Sequence, residues 1–151
     1  MAPLPEGAHT VEDRLAIIDL TVAYCWALDT REWDALDRVF SADVTAELAS
    51  PPLVGVEAIK ERVARALVPL DDSQHMVTNH QIVFDPSGDR ATCRCYLQAQ
   101  HVRRDAEGGA NYVIGGRYED TVVRTADGWR IAHRRLVAMW REGNPGVMSP
   151  R

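Results

Sequence analysis

Four polar residues fall at positions that otherwise point toward the interior of the protein: Asp29, His75, His101 and Arg134. Asp29 lies at the end of a predicted helix, where the helix dipole disfavours an unpaired carboxylate, so we expect an imidazole as its partner. A carboxylate that fixes the tautomer of an imidazole makes it a better base. Asp29, His75 and His101 therefore form a candidate acid–base set. The Arg134 guanidinium is expected to enter the same pocket and stabilise an anion there.

Each of these residues also has a purely structural interpretation. Asp29 is alternatively an exposed residue at a helix end, and each histidine is alternatively a hydrogen-bonded residue of the core or of a strand edge. Two further histidines, His80 and His133, lie outside the pattern, and we interpret them as structural. The acid–base interpretation depends on the coincidence of several such groups on predicted inward faces.

Metal and cofactor chemistry find little support in the sequence. A metal site made of Asp29, His75 and His101 lacks the close histidine spacing that would favour it. The chain contains no phosphate-binding glycine loop, nucleophile elbow or zinc signature. Cys93 and Cys95 have neither redox nor zinc-ribbon spacing, so we interpret the cysteines as reduced packing residues. We therefore expect neither a metal nor a cofactor.

Helical periodicity predicts three helices in the N-terminal half of the chain. Residues 10–13 resemble a capping box, and from there to Asp29 apolar residues recur on one stripe. Tyr24 and Asp29 flank this stripe on opposite sides, so both side chains can lean toward whatever the stripe covers. A short helix is predicted over about 33–40, and a third over about 55–68.

From His75 onward the sequence becomes rich in β-branched and aromatic residues, which is typical of strands. Strands are predicted at 75–84, 91–104, 111–124 and 129–140, with a shorter candidate at 44–48. On the first strand, His75 is expected to share a face with Val77, Asn79 and Val83. Tight turns join the four long strands, so neighbours are expected to pair antiparallel. Three helices followed by such a meander indicate an α+β domain whose sheet curls around the helices and forms a pocket.

Composition places the chain among folded proteins of one domain. Its 151 residues are 46% hydrophobic and 26% charged, with a formal net charge of −5 that disfavours nucleic-acid binding. No apolar run approaches the ~20 residues needed to span a bilayer, and the N-terminus lacks the features of a signal peptide. We therefore predict a cytoplasmic protein that does not bind membranes, with a flexible tail at residues 1–9 and a C-terminal tail at 142–151.

Several segments resemble the SnoaL-like branch of the nuclear-transport-factor-2-like superfamily. They are YCWALD at 24–29, WDAL and FSAD within 33–43, QHMVTN at 74–79, GRYED at 116–120 and DGWRI at 127–131. The resemblance covers residues 10–141 as one domain. It implies a cone-shaped α+β barrel, with three N-terminal helices packed in a strongly curved antiparallel sheet and an enclosed pocket.

The resemblance also implies roles for individual residues. Three metal-free lyases of the superfamily (scytalone dehydratase, lindane dehydrochlorinase and bile-acid dehydratase) have an Asp–His dyad that corresponds to Asp29 and His75. Tyr24 stands at the spacing of a bile-acid dehydratase tyrosine that hydrogen-bonds the substrate carbonyl. His101 matches a second pocket histidine of scytalone dehydratase, and Arg134 matches a pocket arginine of the dehydrochlorinase. Residues 116–119 do not match the polar pair that scytalone dehydratase has on its penultimate strand.

These features together predict a cofactor-free lyase, a dehydratase of a cyclic hydroxy-ketone of steroid-like or polyketide-derived type. In this hypothesis His75 removes a proton α to the carbonyl, Asp29 orients it, Tyr24 donates to the enolate oxygen, and His101 or Arg134 assists the departing hydroxide. An isomerase or polyketide cyclase with the same dyad is one alternative, and a non-catalytic module that binds a hydrophobic small molecule is another. We also expect a homo-oligomer, either a dimer or a trimer.

Overall fold

The computed structural model describes residues 8–149, so most of the predicted tail at residues 1–9 lies outside them. Within this range the helices are α1 (Val11–Thr30), α2 (Val56–Leu67) and two 3₁₀ helices (Trp33–Arg38 and Pro145–Met148). The strands are β1 (Phe40–Glu47), β2 (Leu53–Val54), β3 (Asp72–Phe84), β4 (Arg90–Val102), β5 (Asn111–Thr125) and β6 (Gly128–Gly143). The three N-terminal helices and the four long strands occur where the sequence predicts them. The second helix ends earlier than predicted, because Phe40 already begins β1.

Helix α1 begins at the predicted capping box. The Thr10 hydroxyl accepts from the backbone N–H of Asp13 at 3.1 Å, and the Asp13 carboxylate accepts from the backbone N–H of Thr10 at 2.8 Å. The other oxygen of that carboxylate accepts from Arg124 at 2.8 Å and from Trp129 at 3.0 Å. These bonds attach the start of α1 to β5 and β6. The helix ends at Arg31, which adopts a left-handed φ of 62°.

The strands form a single six-stranded sheet in the order β2-β1-β6-β5-β4-β3. Strands β3 to β6 pair antiparallel in sequence, as predicted. The expectation of a wholly antiparallel sheet is wrong, because β1 pairs parallel with β6, from which α2 and four strands separate it along the chain. The sheet is also not closed into a barrel, since β2 and β3 form two separate edges. The α+β class, with three N-terminal helices packed on the sheet, is confirmed.

A bulge in β3 changes the predicted faces of that strand. The pairing with β4 gains one residue between Thr78 and Gln81, and Asn79 takes a left-handed φ of 58°. The predicted alternation is therefore wrong beyond Val77: Asn79 is exposed and the Val83 side chain is 60% exposed. His80 points inward instead, and its ring nitrogen lies 2.7 Å from the Thr21 hydroxyl of α1.

The C-terminal residues that the structure describes contact the rest of the domain. Strand β6 continues to Gly143, and the following 3₁₀ helix buries Val147 in the core. Arg103 donates to the carbonyl oxygens of Gly146 at 2.7 Å and Ser149 at 2.8 Å. The part of the predicted tail at 142–151 that the structure describes therefore packs against the domain.

The three cysteines are buried, free thiols of the core. Burial raises the pKa of the Cys93 and Cys95 thiols to about 12, so neither is a thiolate nucleophile near neutral pH. Among residues 8–149, no helix has the length and apolar character required to cross a membrane.

Candidate active site

Asp29 and His75 form the predicted dyad. Asp29 Oδ1 lies 2.7 Å from His75 Nδ1, and Asp29 Oδ2 accepts from the backbone N–H of His75, also at 2.7 Å. Asp29 belongs to the last turn of α1 and His75 to the fourth position of β3, so the dyad joins a helix to an edge strand. Because Asp29 accepts from both the side chain and the backbone of His75, the carboxylate and the imidazole have little freedom to separate.

The Asp29 carboxylate is stabilised as an anion. In addition to the two bonds from His75, Asp29 Oδ1 accepts from the Ser73 hydroxyl at 2.9 Å. Burial alone would raise the pKa of Asp29, but the hydrogen bonds from His75 and Ser73 outweigh it and hold this pKa below its usual range. Sequence reasoning missed Ser73, although it lies two residues before His75 and therefore on the same face of β3.

The ionised carboxylate determines which nitrogen of His75 carries the proton. A carboxylate only accepts hydrogen bonds, so Nδ1 must be the donor and neutral His75 presents an unprotonated Nε2. The His75 side chain is 6% exposed, which shields this nitrogen from bulk water. The dyad thus has the arrangement of a general base.

His101 lies beside the dyad. Its ring packs edge-on against that of His75, with centroids 5.9 Å apart. His101 Nδ1 donates to the carbonyl oxygen of Tyr112 at 3.2 Å. Burial, followed by the proximity of His75, lowers the pKa of His101 to about 4, so the ring is neutral near pH 7 and its Nε2 is an acceptor. A neutral ring whose Nδ1 proton is bonded to Tyr112 is poorly suited to protonate a departing hydroxide, so this state does not favour the predicted assistance by His101.

An open cleft of about 700 Å³ lies between α1 and β3 and reaches the dyad. Its lining combines apolar and polar side chains: Val22, Cys25, Trp26, Asp29, Asp72, Ser73, Gln74, His75, Met76, Val77, Gln100 and Val102. The Trp26 side chain is 67% exposed and Met76 is 48% exposed. The cleft at the dyad is therefore not the enclosed pocket that the sequence predicts, because β3 is a free edge of an open sheet.

Arg134 belongs to a second, buried cluster. Its guanidinium donates to both carboxylate oxygens of Asp120 at 2.8 and 2.7 Å, and both side chains are fully buried. The guanidinium carbon also lies 3.9 Å from the ring centre of Tyr118 and 4.4 Å from that of Tyr24. Burial alone would lower the pKa of Arg134, but Asp120 outweighs burial and raises it. The charge that was expected to meet a substrate anion is therefore already paired within the protein.

Asp120 is the member of this cluster that sequence reasoning missed. It lies two positions from the buried residues Tyr118 and Val122 and therefore on the same inward face of β5. This inward position was the available signal. A bulge in β6 between Ile131 and His133 brings Ile131 and Arg134 to the same face. Arg134 Nη1 has no hydrogen-bond partner among the described residues.

Tyr24 lies in the second cluster and does not line the cleft. It is 2% exposed, and its ring meets those of Phe40 and Tyr118 edge-on at 5.8 and 5.7 Å. Burial raises the pKa of its hydroxyl, and Arg134 only partly offsets this effect. The structure thus brings together Asp29, His75 and His101, and it places Tyr24 and Arg134 in the neighbouring core.

Two other expectations concern histidines and metals. His80 bonds to Thr21, and His133 bonds to Thr45 at 2.6 Å and to Glu47 at 3.2 Å, in agreement with a structural interpretation of both histidines. Within residues 8–149, no three side chains of His, Cys, Asp or Glu are arranged to hold a metal ion.

The match to a known domain extends over most of the chain. Residues 9–135 match the SnoaL-like domain. The chain belongs to the SnoaL-like family. Uncharacterised proteins of Mycobacterium tuberculosis and Mycobacterium bovis are 35% identical to this SnoaL-like protein over an alignment of 130 residues that covers 82% of this chain and 84% of each relative.

Solved structures agree with this membership. A Novosphingobium aromaticivorans protein named as an aromatic ring hydroxylase is 30% identical, with a TM-score of 0.81 over 94% of this chain and 100% of its own. Another protein of that organism, named as a scytalone dehydratase, is 24% identical, with a TM-score of 0.77 over 89% and 92% of the two chains. LinA is 20% identical, with a TM-score of 0.79 over 93% and 95%. The last two similarities show the fold.

Proposed function

We propose that this SnoaL-like protein is a cofactor-free lyase that removes water from a cyclic hydroxy-ketone of steroid-like or polyketide-derived type. The observation that carries the proposal is the 2.7 Å bond between Asp29 and His75 Nδ1, which leaves His75 Nε2 as a base beside the cleft. The names of two structural neighbours, a scytalone dehydratase and a hexachlorocyclohexane dehydrochlorinase, denote eliminations and support this reaction type.

The proposed reaction needs one base. His75 Nε2 takes the proton on the carbon α to the carbonyl, and the electrons of that C–H bond pass into the enolate. As the carbon–carbon double bond forms, the C–O bond at the β carbon breaks. The departing hydroxide takes the proton back from His75 and leaves as water. Asp29 stabilises the imidazolium that exists between the two transfers.

The dimensions and lining of the cleft support the proposed substrate class. A volume of about 700 Å³ accommodates a molecule of several rings. Val22, Trp26 and Val77 supply apolar surface, and the polar side chains of the lining are those of the dyad together with Asp72, Ser73, Gln74 and Gln100. A mostly apolar compound that carries several polar oxygen atoms fits this lining.

The remaining predicted site residues receive supporting roles in the proposal. His101 limits rotation of the His75 ring by packing against it. Tyr24 and Arg134 support the cleft wall through Cys25, which follows Tyr24 in α1 and lines the cleft. None of these three residues touches the substrate in this scheme.

The proposal is tested by a thermal-shift screen of cyclic hydroxy-ketones, enones and steroids, followed by mass spectrometry of every hit. A ligand at 100 times its Kd adds about 2.7 kcal/mol to the free energy of unfolding, which is readily detected. His75→Gln and Asp29→Asn should each lower turnover by about 10²–10⁴. His133→Gln is the matched control, because His133 bonds to Thr45 and Glu47 of β1 and does not line the cleft. Near-normal turnover in either dyad variant contradicts the proposal.

Product mass separates dehydration from the related chemistries. Dehydration loses water, whereas isomerisation and cyclisation that begin with the same proton abstraction leave the mass unchanged. Hydroxylation, which the name of one relative denotes, adds one oxygen.

A binding module without catalysis is the second candidate. It is favoured by the open cleft and by the position of Tyr24 and Arg134 in the core, which leaves fewer polar groups at the cleft than an enclosed active site would have. In that case a hit stabilises the wild type and His75→Gln to a similar extent, and its mass does not change with either protein.

A further inference from the structure

We propose that Arg31 and Ser73 are positioning residues of the dyad, which together keep Asp29 ionised and fix the tautomer of His75. The catalytic value of this arrangement rests on the proposed function, but the arrangement itself is testable without a substrate. Neither residue belongs to the predicted site, and neither matches a role implied by the resemblance.

Two hydrogen bonds connect Arg31 through Ser73 to Asp29, and the donor and acceptor of each bond can be assigned in only one way. Arg31 Nη1 lies 2.8 Å from Ser73 Oγ, and Ser73 Oγ lies 2.9 Å from Asp29 Oδ1. A guanidinium only donates, so the serine oxygen must accept from Arg31. The single hydroxyl proton of Ser73 is then directed to Asp29. Without the cation, this hydroxyl is free to accept or donate elsewhere.

The direction of this chain extends to His75. An Asp29 carboxylate that already accepts from Ser73 and from the backbone of His75 stays ionised, so its contact with His75 Nδ1 is one in which the imidazole donates. Arg31 therefore influences the free Nε2 of His75 through two intervening side chains.

The position of Arg31 is itself fixed by the fold. Its left-handed backbone ends α1, and the same Nη1 donates to the Leu28 carbonyl oxygen at 2.6 Å. This bond places a cation at the negative end of the helix dipole, beside an aspartate that the dipole disfavours. The charge is close enough to the site to contribute to the lowered pKa of His101.

The charged and titratable groups around Asp29 come from three elements. Arg31 and Cys25 belong to α1 and its end, His75 lies on β3 together with the Ser73 hydroxyl, and His101 belongs to β4. Among these groups, we expect Ser73 to lower the pKa of Asp29 by donating a hydrogen bond to it, and Arg31 to lower it by its positive charge. We call the chain from Arg31 through Ser73 to Asp29 the relay. Removal of either should therefore raise this pKa.

The experiment is an NMR titration of the full chain with labelled aspartate and histidine. The carboxyl carbon of Asp29, assigned with Asp29→Asn, reports its ionisation. The ring nitrogens of His75, one of only five histidines and assigned with His75→Gln, report its tautomer. In Ser73→Ala and Arg31→Gln, the pKa of Asp29 should rise by roughly 0.5–1, and the Nδ1-protonated form of His75 should lose population.

Conservative variants provide the controls. Ser73→Thr keeps the hydroxyl and Arg31→Lys keeps both charge and donor, so both should retain the wild-type titration. A residue that served only stability would lower the Tm and leave the Asp29 titration and His75 tautomer unchanged; that outcome in Ser73→Ala and Arg31→Gln overturns the inference. A relay confirmed by NMR in a protein that turns over no hit would instead contradict the proposed function alone.

Discussion

The buried pair of Arg134 and Asp120 allows the most demanding test of the structural reasoning. In Arg134→Met, Asp120 keeps its carboxylate in a fully buried position with no cation to compensate it. The change also removes two hydrogen bonds of 2.8 and 2.7 Å and the stacking of the guanidinium on Tyr24 and Tyr118. We therefore expect Arg134→Met to act on the folded state itself.

The magnitude follows from the geometry of the pair. Loss of one partner of a buried ion pair costs about 3–5 kcal/mol, which is a large part of the 5–15 kcal/mol that stabilises a typical domain. For a chain of about 150 residues, this corresponds to a fall in Tm of roughly 6–20 °C. Arg134→Lys should lie between the two proteins, because an ammonium cannot bind both carboxylate oxygens in a planar fork.

Urea unfolding at pH 7, followed by circular dichroism, measures this loss. The double variant Arg134→Met with Asp120→Val is the control, since replacing both charges with apolar groups removes the uncompensated carboxylate and should recover most of the stability. A loss below about 1 kcal/mol in Arg134→Met, or a double variant less stable than the single one, would refute the assignment of Asp120 as the partner of Arg134.

Two further predictions concern pH and glycine. Because the pKa of His101 is about 4 in the folded state against an ordinary value of 6.5, the unfolded chain binds the extra proton between these values, so the free energy of unfolding should fall by roughly 3 kcal/mol as the pH drops from 6.5 to 4. In His101→Phe this component should be absent, which chemical denaturation across that range measures; parallel curves for the two proteins would contradict it. Gly116→Ala should cost more stability than Gly115→Ala, since a methyl group at 116 overlaps the Val137 backbone whereas one at 115 overlaps the side chain of Trp140, which can move outward. Equal Tm values for the two variants would argue against this difference.

Local sequence patterns located most of the elements and placed Asp29, His75 and His101 where they could meet, whereas the pairing of Asp29 with His75 was implied by the family resemblance. The capping box and the apolar stripe locate α1, and with it Asp29 at the helix end. Alternation along the strands places His75 and His101 on inward faces. These signals are local, because helix and strand periodicity depend on residues a few positions apart.

The bulges in β3 and β6 mark the limit of such reasoning. Alternation assigns a face only up to the first inserted residue, so His80 turned inward and Val83 outward against expectation. The parallel pairing of β1 with β6 could not be predicted either, because a strand's residue pattern does not specify its neighbour in the sheet.

The sequence by itself determined that an aspartate would lie at the end of a helix and that two histidines would lie on inward faces of strands, since these positions belong to strongly patterned elements. Only the tertiary structure decided what surrounds them. Arg31 donates to Ser73, which lies 42 positions away in the chain, and Arg134 donates to Asp120 on the neighbouring strand. The free edge at β3 opens the cleft. Such partners depend on strand order and register, which arise from the packing of the whole sheet.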